Sequence, residues 1–437
     1  MTIKAALSLT QRAPALLNGL AWAAAESHVP LHARFSLPAV THAKRNVAML
    51  RGLLSALVLA IGLSTPAAAE IRTIRISSKV LGEERVLHVG LPPNYAQARQ
   101  RYEVVYLLDG HVRQFFDVTM AAAGYDIVGD KYDYAMPAQI VVAVDHRDRG
   151  ADLGRNQELF TRFLVEEVVP FIDRTFRTNT YRTLIGHSLG GRFALMTFCR
   201  APGVFPAVIA ISSAGGDSTS AENVTRCLTS AFAANGTTLR QLVLSAGDRE
   251  ERIHAGAARL RDFLRTNAPA HWRWTYIDLP GLGHTETPLA TIPPGLRFVH
   301  DKSVWELPPP LADSVIAGQL DPEQAIAGFY SKLSARVGAT IAPSLRWMLI
   351  EANVRIRQKN ESTAERSIRR LIAAYPEDLE GYGMQSDLAL RSGDTTAAKR
   401  ALNDGLRMLS RLEIYDVYDA ERKRKLLEAA LASLQKP

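Results

Sequence analysis

YRTLIGHSLGGRFALMTFCR, residues 181–200, runs from a strand-like stretch, Tyr181 to Ile185, through Gly186-His187-Ser188-Leu189-Gly190-Gly191 into a helical stretch, Arg192 to Arg200. Strand, sharp turn and helix in that order form a nucleophile elbow, which lifts a serine hydroxyl above the end of a sheet. The serine at the apex must take a strained backbone, and side chains two residues to either side would collide across the turn. Glycine at 186 and 190 answers that demand, so Ser188 is the candidate nucleophile. The bare pattern G-x-S-x-G is weak; the strand before and the helix after give it weight.

The flanking sequence supplies the sheet. Arg72 to Val80 and Arg85 to Leu91 read as two short alternating strands, the second stopped by Pro92, Pro93 and Asn94. Continuous apolar runs follow at Val104 to Leu108, Ile140 to Val144, Thr183 to Ile185, Ala207 to Ile211 and Leu242 to Leu244. Between them lie helical patterns such as Leu159 to Phe176 and Ile253 to Leu264. Runs buried on both faces and alternating with helices indicate an α/β fold with a mostly parallel sheet and helices on both faces. Trp272 to Leu279 is the last strand, and a helix from about Pro294 to His300 closes the domain.

Leu307-Pro308-Pro309-Pro310 breaks both helix and strand and reads as a linker over 304–314. It separates a domain at 70–303 from a small all-α region at 315–437. In that region Ala364, Ile368 and Ile372 recur as Ala398, Leu402 and Leu406, an offset of about 34 residues. That is the period of tetratricopeptide helix pairs. One and a half repeats cannot stand alone, so the tail is expected to pack on the larger domain or to serve a protein partner.

The chain has 437 residues, 47% hydrophobic and 22% charged, enough for a full core. Its net charge of +8 is misleading. Residues 1–69 hold six basic side chains and one acidic, and the remainder, 46 basic against 43 acidic, carries only +3. No basic stripe with interleaved aromatics stands out, which argues against a nucleic-acid partner. Met49-Leu50-Arg51, the apolar run Leu53 to Leu63 and Ala67-Ala68-Ala69 read as a secretory signal beginning at Met49 and cleaved after Ala69. The run is too short to span a bilayer comfortably. A periplasmic or secreted protein without a membrane span is expected, and 1–48 reads as a mis-assigned or disordered upstream segment. Cys199 and Cys227 lie beyond the signal; an oxidising compartment would permit a bond between them, and two free thiols are the alternative.

A serine hydroxyl needs a base within hydrogen-bond reach, itself oriented by a carboxylate, and in an α/β-hydrolase the chain order is Ser, acid, His. His284, on the glycine-rich loop Gly281-Leu282-Gly283-His284 after the last strand, is the candidate base. His187 is expected to point away from the apex and to pack behind it. For the acid, the strand ending at Leu244 runs into Ser245-Ala246-Gly247-Asp248-Arg249-Glu250-Glu251, where Glu250 and Asp248 both remain open. The oxyanion calls for two preorganised N–H groups. Leu189 offers one, and His111, after Leu107-Leu108-Asp109-Gly110, offers the other. Arg147 and Arg149 follow the strand Ile140 to Val144 on the side of the site and are candidates to engage an anionic substrate. No metal-ligand spacing or phosphate-cradling loop occurs, so neither metal nor cofactor is expected.

The succession VVYLLDGH, IVVAVDHRDRGADL, FLVEEVVPFIDRTFRT, YRTLIGHSLGGRFAL, FPAVIAISS, LVLSAGDRE and GLGHTE resembles the putative-esterase family of α/β-hydrolases over about residues 80–300. That family includes enterochelin esterases, S-formylglutathione hydrolases, feruloyl esterases and mycolyltransferases. The resemblance implies a serine carboxylic-ester hydrolase working on a small ester through an acyl-enzyme. It puts the nucleophile on Ser188, the base on His284, the acid on Glu250 and the second oxyanion N–H on His111. Members often carry Glu-His-Gly-Ser where this chain has Gly283-His284-Thr285-Glu286, a departure that touches substrate contacts more than the base. A ferric-siderophore trilactone esterase is the alternative substrate reading, and an inert binding protein using its helical tail is the alternative from another class.

Overall fold

The computed structural model describes residues 70–124, 136–201, 203–213, 218–234, 236–412 and 417–434. The upstream segment 1–48 and the signal-like stretch 49–69 lie outside the described residues.

Eight strands make one sheet: β1 Ile71–Ser78, β2 Glu83–Gly90, β3 Tyr102–Leu108, β4 Gln139–Val144, β5 Thr178–His187, β6 Ala207–Ile211, β7 Arg240–Gly247 and β8 Trp272–Leu279. Their order is β1-β2-β4-β3-β5-β6-β7-β8. The first two pairings are antiparallel and the rest parallel. This is the mostly parallel sheet that the unbroken apolar runs imply, because β3, β4, β6 and β7 are buried along their whole lengths.

Period two along β3 divides the core. Val104, Tyr106 and Leu108 face one layer with Leu153, Phe160 and Phe193, whereas Val105 and Leu107 face the other with Ile292 and Leu296. Helix α1, Arg113–Ala123, lies after β3. The segment after β4 is helical from Gln157 to Thr175: α2 Gln157–Arg162, a π-helical stretch Phe163–Val168 and α3 Val169–Thr175. Then come α4 Leu189–Arg200, α5 Ser218–Ala234, α6 Glu251–Asn267 and α7 Thr287–Val299. The last of these begins seven residues before the helix expected from the sequence and contains Pro293 and Pro294 in its interior. Cys199 and Cys227, on α4 and α5, are unbridged thiols.

Residues 304–314 are not a linker. Lys302–Trp305 forms α8 and Pro309–Ile316 forms α9, with proline at the first helical positions, where no N–H is needed. Trp305 and Leu307 are buried in the same apolar layer as Val105, Leu107 and Ile209 of the sheet. That layer continues through Val315 of α9 and Ile326, Tyr330 and Leu333 of α10, Pro322–Val337, to Trp347 of α11, Leu345–Arg357. The start of the tail therefore covers one face of the sheet together with α7.

Four further helices follow: α12 Glu361–Ala374, α13 Glu380–Arg391, α14 Thr395–Leu409 and α15 Val417–Ser433. Asn360 and Asp394 cap α12 and α14 in the same way, each side chain accepting the N–H three residues on. The sequence offset of 34 residues thus carries the caps as well as the buried Ala364 and Ile368, Ala398 and Leu402. Among the described residues no helix is long and apolar enough to cross a membrane.

Candidate active site

Ser188 is the junction of β5 and α4, with φ 58° and ψ −120°. Its N–H donates to Ile211 O at 2.8 Å and its carbonyl accepts from Arg192 N at 3.0 Å, so both sides of the turn are fixed. The strain is enforced by close backbone approach. A Cβ on Gly186 would lie 2.2 Å from Gly190 O, which is the collision expected across the turn. Gly191 matters too, although the pattern did not single it out: its Cβ would meet Ser213 Cβ at 2.7 Å and Ile211 O at 2.9 Å. Leu189 opens α4, where the first N–H groups have no intrahelical acceptor and the dipole favours negative charge.

The loops after β7 and β8 are fastened to each other. Asp248 Oδ1 accepts Gly281 N–H at 2.8 Å, Arg249 N–H donates to Leu282 O at 3.3 Å, and a Cβ on Gly247 would strike Leu282 O at 2.1 Å. That closeness sets Glu250 beneath His284. The His284 Nδ1–H donates to Glu250 Oε2, and Glu250 Oε1 accepts from Ser212 Oγ at 2.8 Å and from Gly247 N at 2.9 Å. Ser212 Oγ also lies 2.7 Å from Thr287 Oγ1, whose hydroxyl reaches His284 O at 3.1 Å. The Glu250 carboxylate is buried, while the imidazole of His284 is 38% exposed. Among the described residues Asp248 makes no hydrogen bond to the imidazole; it is a loop clasp.

His187 does pack behind the apex, and it touches His284 directly. Its Nε2–H donates to His284 O at 2.8 Å, and the two rings lie 4.4 Å apart at 43°. Burial, followed by repulsion from a charged His284, lowers its pKa to about 4. It is therefore neutral at physiological pH and does not oppose an imidazolium at 284. Among the described residues Ser188 Oγ makes no hydrogen bond, to His284 or to any other group.

The loop after β3 carries Asp109 at φ 60°, then Gly110, whose Cβ would lie 2.8 Å from Asp145 Oδ1 and 2.9 Å from the backbone of Ala143 and Val144. Gly110 N donates to Val144 O and Val112 N to Asp109 O, and the exposed His111 lies between them. The two arginines are both engaged by protein. Arg147 Nη1 donates to Glu83 at 2.7 Å from an exposed position. Arg149 reaches inward: Nε to Asp109 Oδ1 at 2.6 Å, Nη2 to Asp109 Oδ2 at 3.0 Å and to His187 O at 3.0 Å.

Behind Asp109 lies a buried polar chain that the sequence reading missed. His146 Nε2 accepts the Asp109 N–H at 3.3 Å, and its Nδ1–H donates to Asp152 Oδ2 at 3.2 Å. Asp152 takes both arms of Arg85 at 2.6 and 2.7 Å. Burial would raise the Asp152 carboxyl, but the hydrogen bonds from Arg85 and His146 outweigh it and hold the pKa below the usual carboxylate value. The signal for this chain was present, since Asp109, His146, Arg149 and Asp152 are polar interruptions at the carboxyl ends of apolar strands. Among the described residues no group of three His, Cys, Asp or Glu side chains is placed to hold a metal.

Residues 78–278 match the putative-esterase family. The uncharacterized protein YjcH of Bacillus subtilis is 29% identical over 153 residues, covering 33% of this chain and 62% of its own. The chain thus spans about three fifths of that relative. Among solved structures, an IroE-like serine hydrolase from Shewanella oneidensis superposes with a TM-score of 0.55 at 20% identity, over 69% of this chain and 98% of that one. An uncharacterised protein from Capnocytophaga ochracea gives 0.53 at 15% identity, over 84% and 99%. Coverage of 84% extends well beyond the family segment, so the second likeness takes in helical tail as well as esterase domain. At these identities the likenesses are of fold.

Proposed function

We propose that the esterase domain hydrolyses a small carboxylic ester through an acyl-enzyme formed on Ser188. The hydrogen bond from His284 Nδ1 to the buried Glu250 carries this reading. It fixes the tautomer with Nδ1–H toward the acid and leaves Nε2 as the lone-pair base on the side exposed to substrate. Ser188 attacks the ester carbonyl, and His284 takes its proton and returns it to the leaving alcohol. Glu250 balances the imidazolium. The N–H groups of Leu189 and His111 hold the oxyanion, and water then repeats the cycle to release the acid. No step calls on a metal or cofactor. Location in the cell envelope is part of the proposal and rests on the signal-like stretch from Met49 to Ala69.

Both arginines offered for an anionic substrate are paired with carboxylates, so neither favours a siderophore trilactone over another ester. Intact-mass measurement after treatment with a fluorophosphonate probe tests the nucleophile. One adduct on the native protein and none on Ser188→Ala is expected. An unlabelled, folded native protein would instead favour an inert binding domain.

A further inference from the structure

The two oxyanion N–H groups stand on segments that diverge just where the site begins. Strands β3 and β5 are paired only as far as Leu107 opposite Ile185. Beyond that point β3 stays paired with β4 to Leu108 and β5 with β6 to His187, and each then turns out of the sheet through a residue of positive φ, Asp109 and Ser188. An oxyanion hole works only when its donors sit about 2.7–3.1 Å from one oxygen position, with a tolerance of roughly 0.5 Å. Something must fix the spacing of the two turns.

Arg149 joins them. Its guanidinium takes the Asp109 carboxylate through Nε and Nη2, and the same Nη2 donates to the carbonyl of His187. Asp109 stands two residues before His111, and His187 two residues before Leu189, so the bridge grips both donor turns at equivalent points. Asp109 is itself held from behind by His146, Asp152 and Arg85, so the anchor on that side is rigid and buried. We propose that Arg149 is a positioning residue whose guanidinium clamps the two oxyanion turns together and sets their separation. The side chain must be arginine, because three bonds in one plane need the guanidinium fork, which an ammonium lacks. This role replaces the expected contact between Arg149 and an anionic substrate, and it rests on the serine-hydrolase reading of Ser188.

A neutral probe separates the roles. The full chain and its Arg149→Ala and Arg149→Lys variants are assayed with p-nitrophenyl acetate and with a neutral fluorophosphonate, with thermal melts to check folding. The clamp acts on the transition state, so kcat and the phosphonylation rate should fall about 10²-fold in Arg149→Ala, with KM within about threefold. Millimolar guanidinium should restore part of that rate, a response that a merely loosened fold would not give. Arg149→Lys should lie between and carries the test if the alanine variant does not fold. Unchanged kcat in a folded variant, or a loss that guanidinium does not relieve, overturns the clamp. Failure of the native protein to label overturns the hydrolase reading, and the clamp with it; a labelled native protein beside an unimpaired variant removes the clamp alone.

Discussion

Glu250 and Asp248 leave the same turn two residues apart, and their partners give them different work. Glu250 receives the imidazole N–H and two further donors in a buried site; Asp248 accepts a backbone N–H on the exposed side of the loop. Glu250→Gln should therefore lower kcat by about 10³–10⁴-fold, because an amide cannot balance the imidazolium and favours the wrong tautomer. Asp248→Asn keeps an oxygen for Gly281 N–H and should cost less than about threefold. Steady-state kinetics on the two variants decides the matter, and equal losses would remove Glu250 from its role. Ser188 and His284 were legible because each sits in a local pattern, a strand and a glycine turn. Glu250 could not be separated from Asp248 by residue type, since the choice depends on how two loops distant in sequence are fastened. The partners of Arg149 were out of reach for the same reason: they lie 40 and 38 positions away.

The elbow shows why a short element can dictate composition while longer ones tolerate change. Gly186 faces the carbonyl of Gly190 at a separation that no Cβ can share, and backbone on both sides leaves nothing flexible to yield. Gly186→Ala should destabilise the protein by more than about 3 kcal/mol or prevent soluble expression. Gly328, exposed in the middle of α10 with nothing near its Cβ position, should behave in the opposite way. Gly328→Ala is expected to stabilise by about 0.5–1 kcal/mol through helix propensity. Urea denaturation measures both, and a tolerated alanine at 186 would contradict the geometry of the turn. The strands were legible from their unbroken apolar runs, but the proline-bearing helices were not. Pro309 and Pro310 begin a helix rather than interrupt one, and Pro293 and Pro294 lie within α7, whose buried Ile292 and Leu296 hold it against the sheet. Tertiary burial overrode local propensity in α7, whereas Pro309 and Pro310 stand at first-turn positions that suit proline.

The tail is built into the molecule by the same burial. Trp305, Leu307, Tyr330 and Trp347 share one apolar layer with the sheet, and Trp347 Nε1 donates to the buried Glu306. A second contact couples the tail to proton concentration. Glu377, after α12, lies near Gln100, before β3, and Arg177, before β5, both of which favour its charged form. Burial, with Asp378 adding repulsion, still pushes its pKa up to about 7. Tyr102, facing the same place, is pushed up as well, by burial first and by Glu377 second. The sign follows from proton counting. Unfolded, the Glu377 carboxyl ionises near its ordinary value of 4.5, whereas the native protein keeps the proton to about 7. Between those values the native state binds more protons, so this group's contribution to stability declines as pH rises and then stays level. Glu377→Gln should remove that decline and raise stability at pH 8 by on the order of 1–3 kcal/mol relative to pH 4.5, where both forms are neutral in the native state. Urea midpoints of the native protein and the variant at the two pH values isolate the effect from other titrating groups. Parallel pH dependences in the two proteins would show that Glu377 does not keep its proton in the native state between those values.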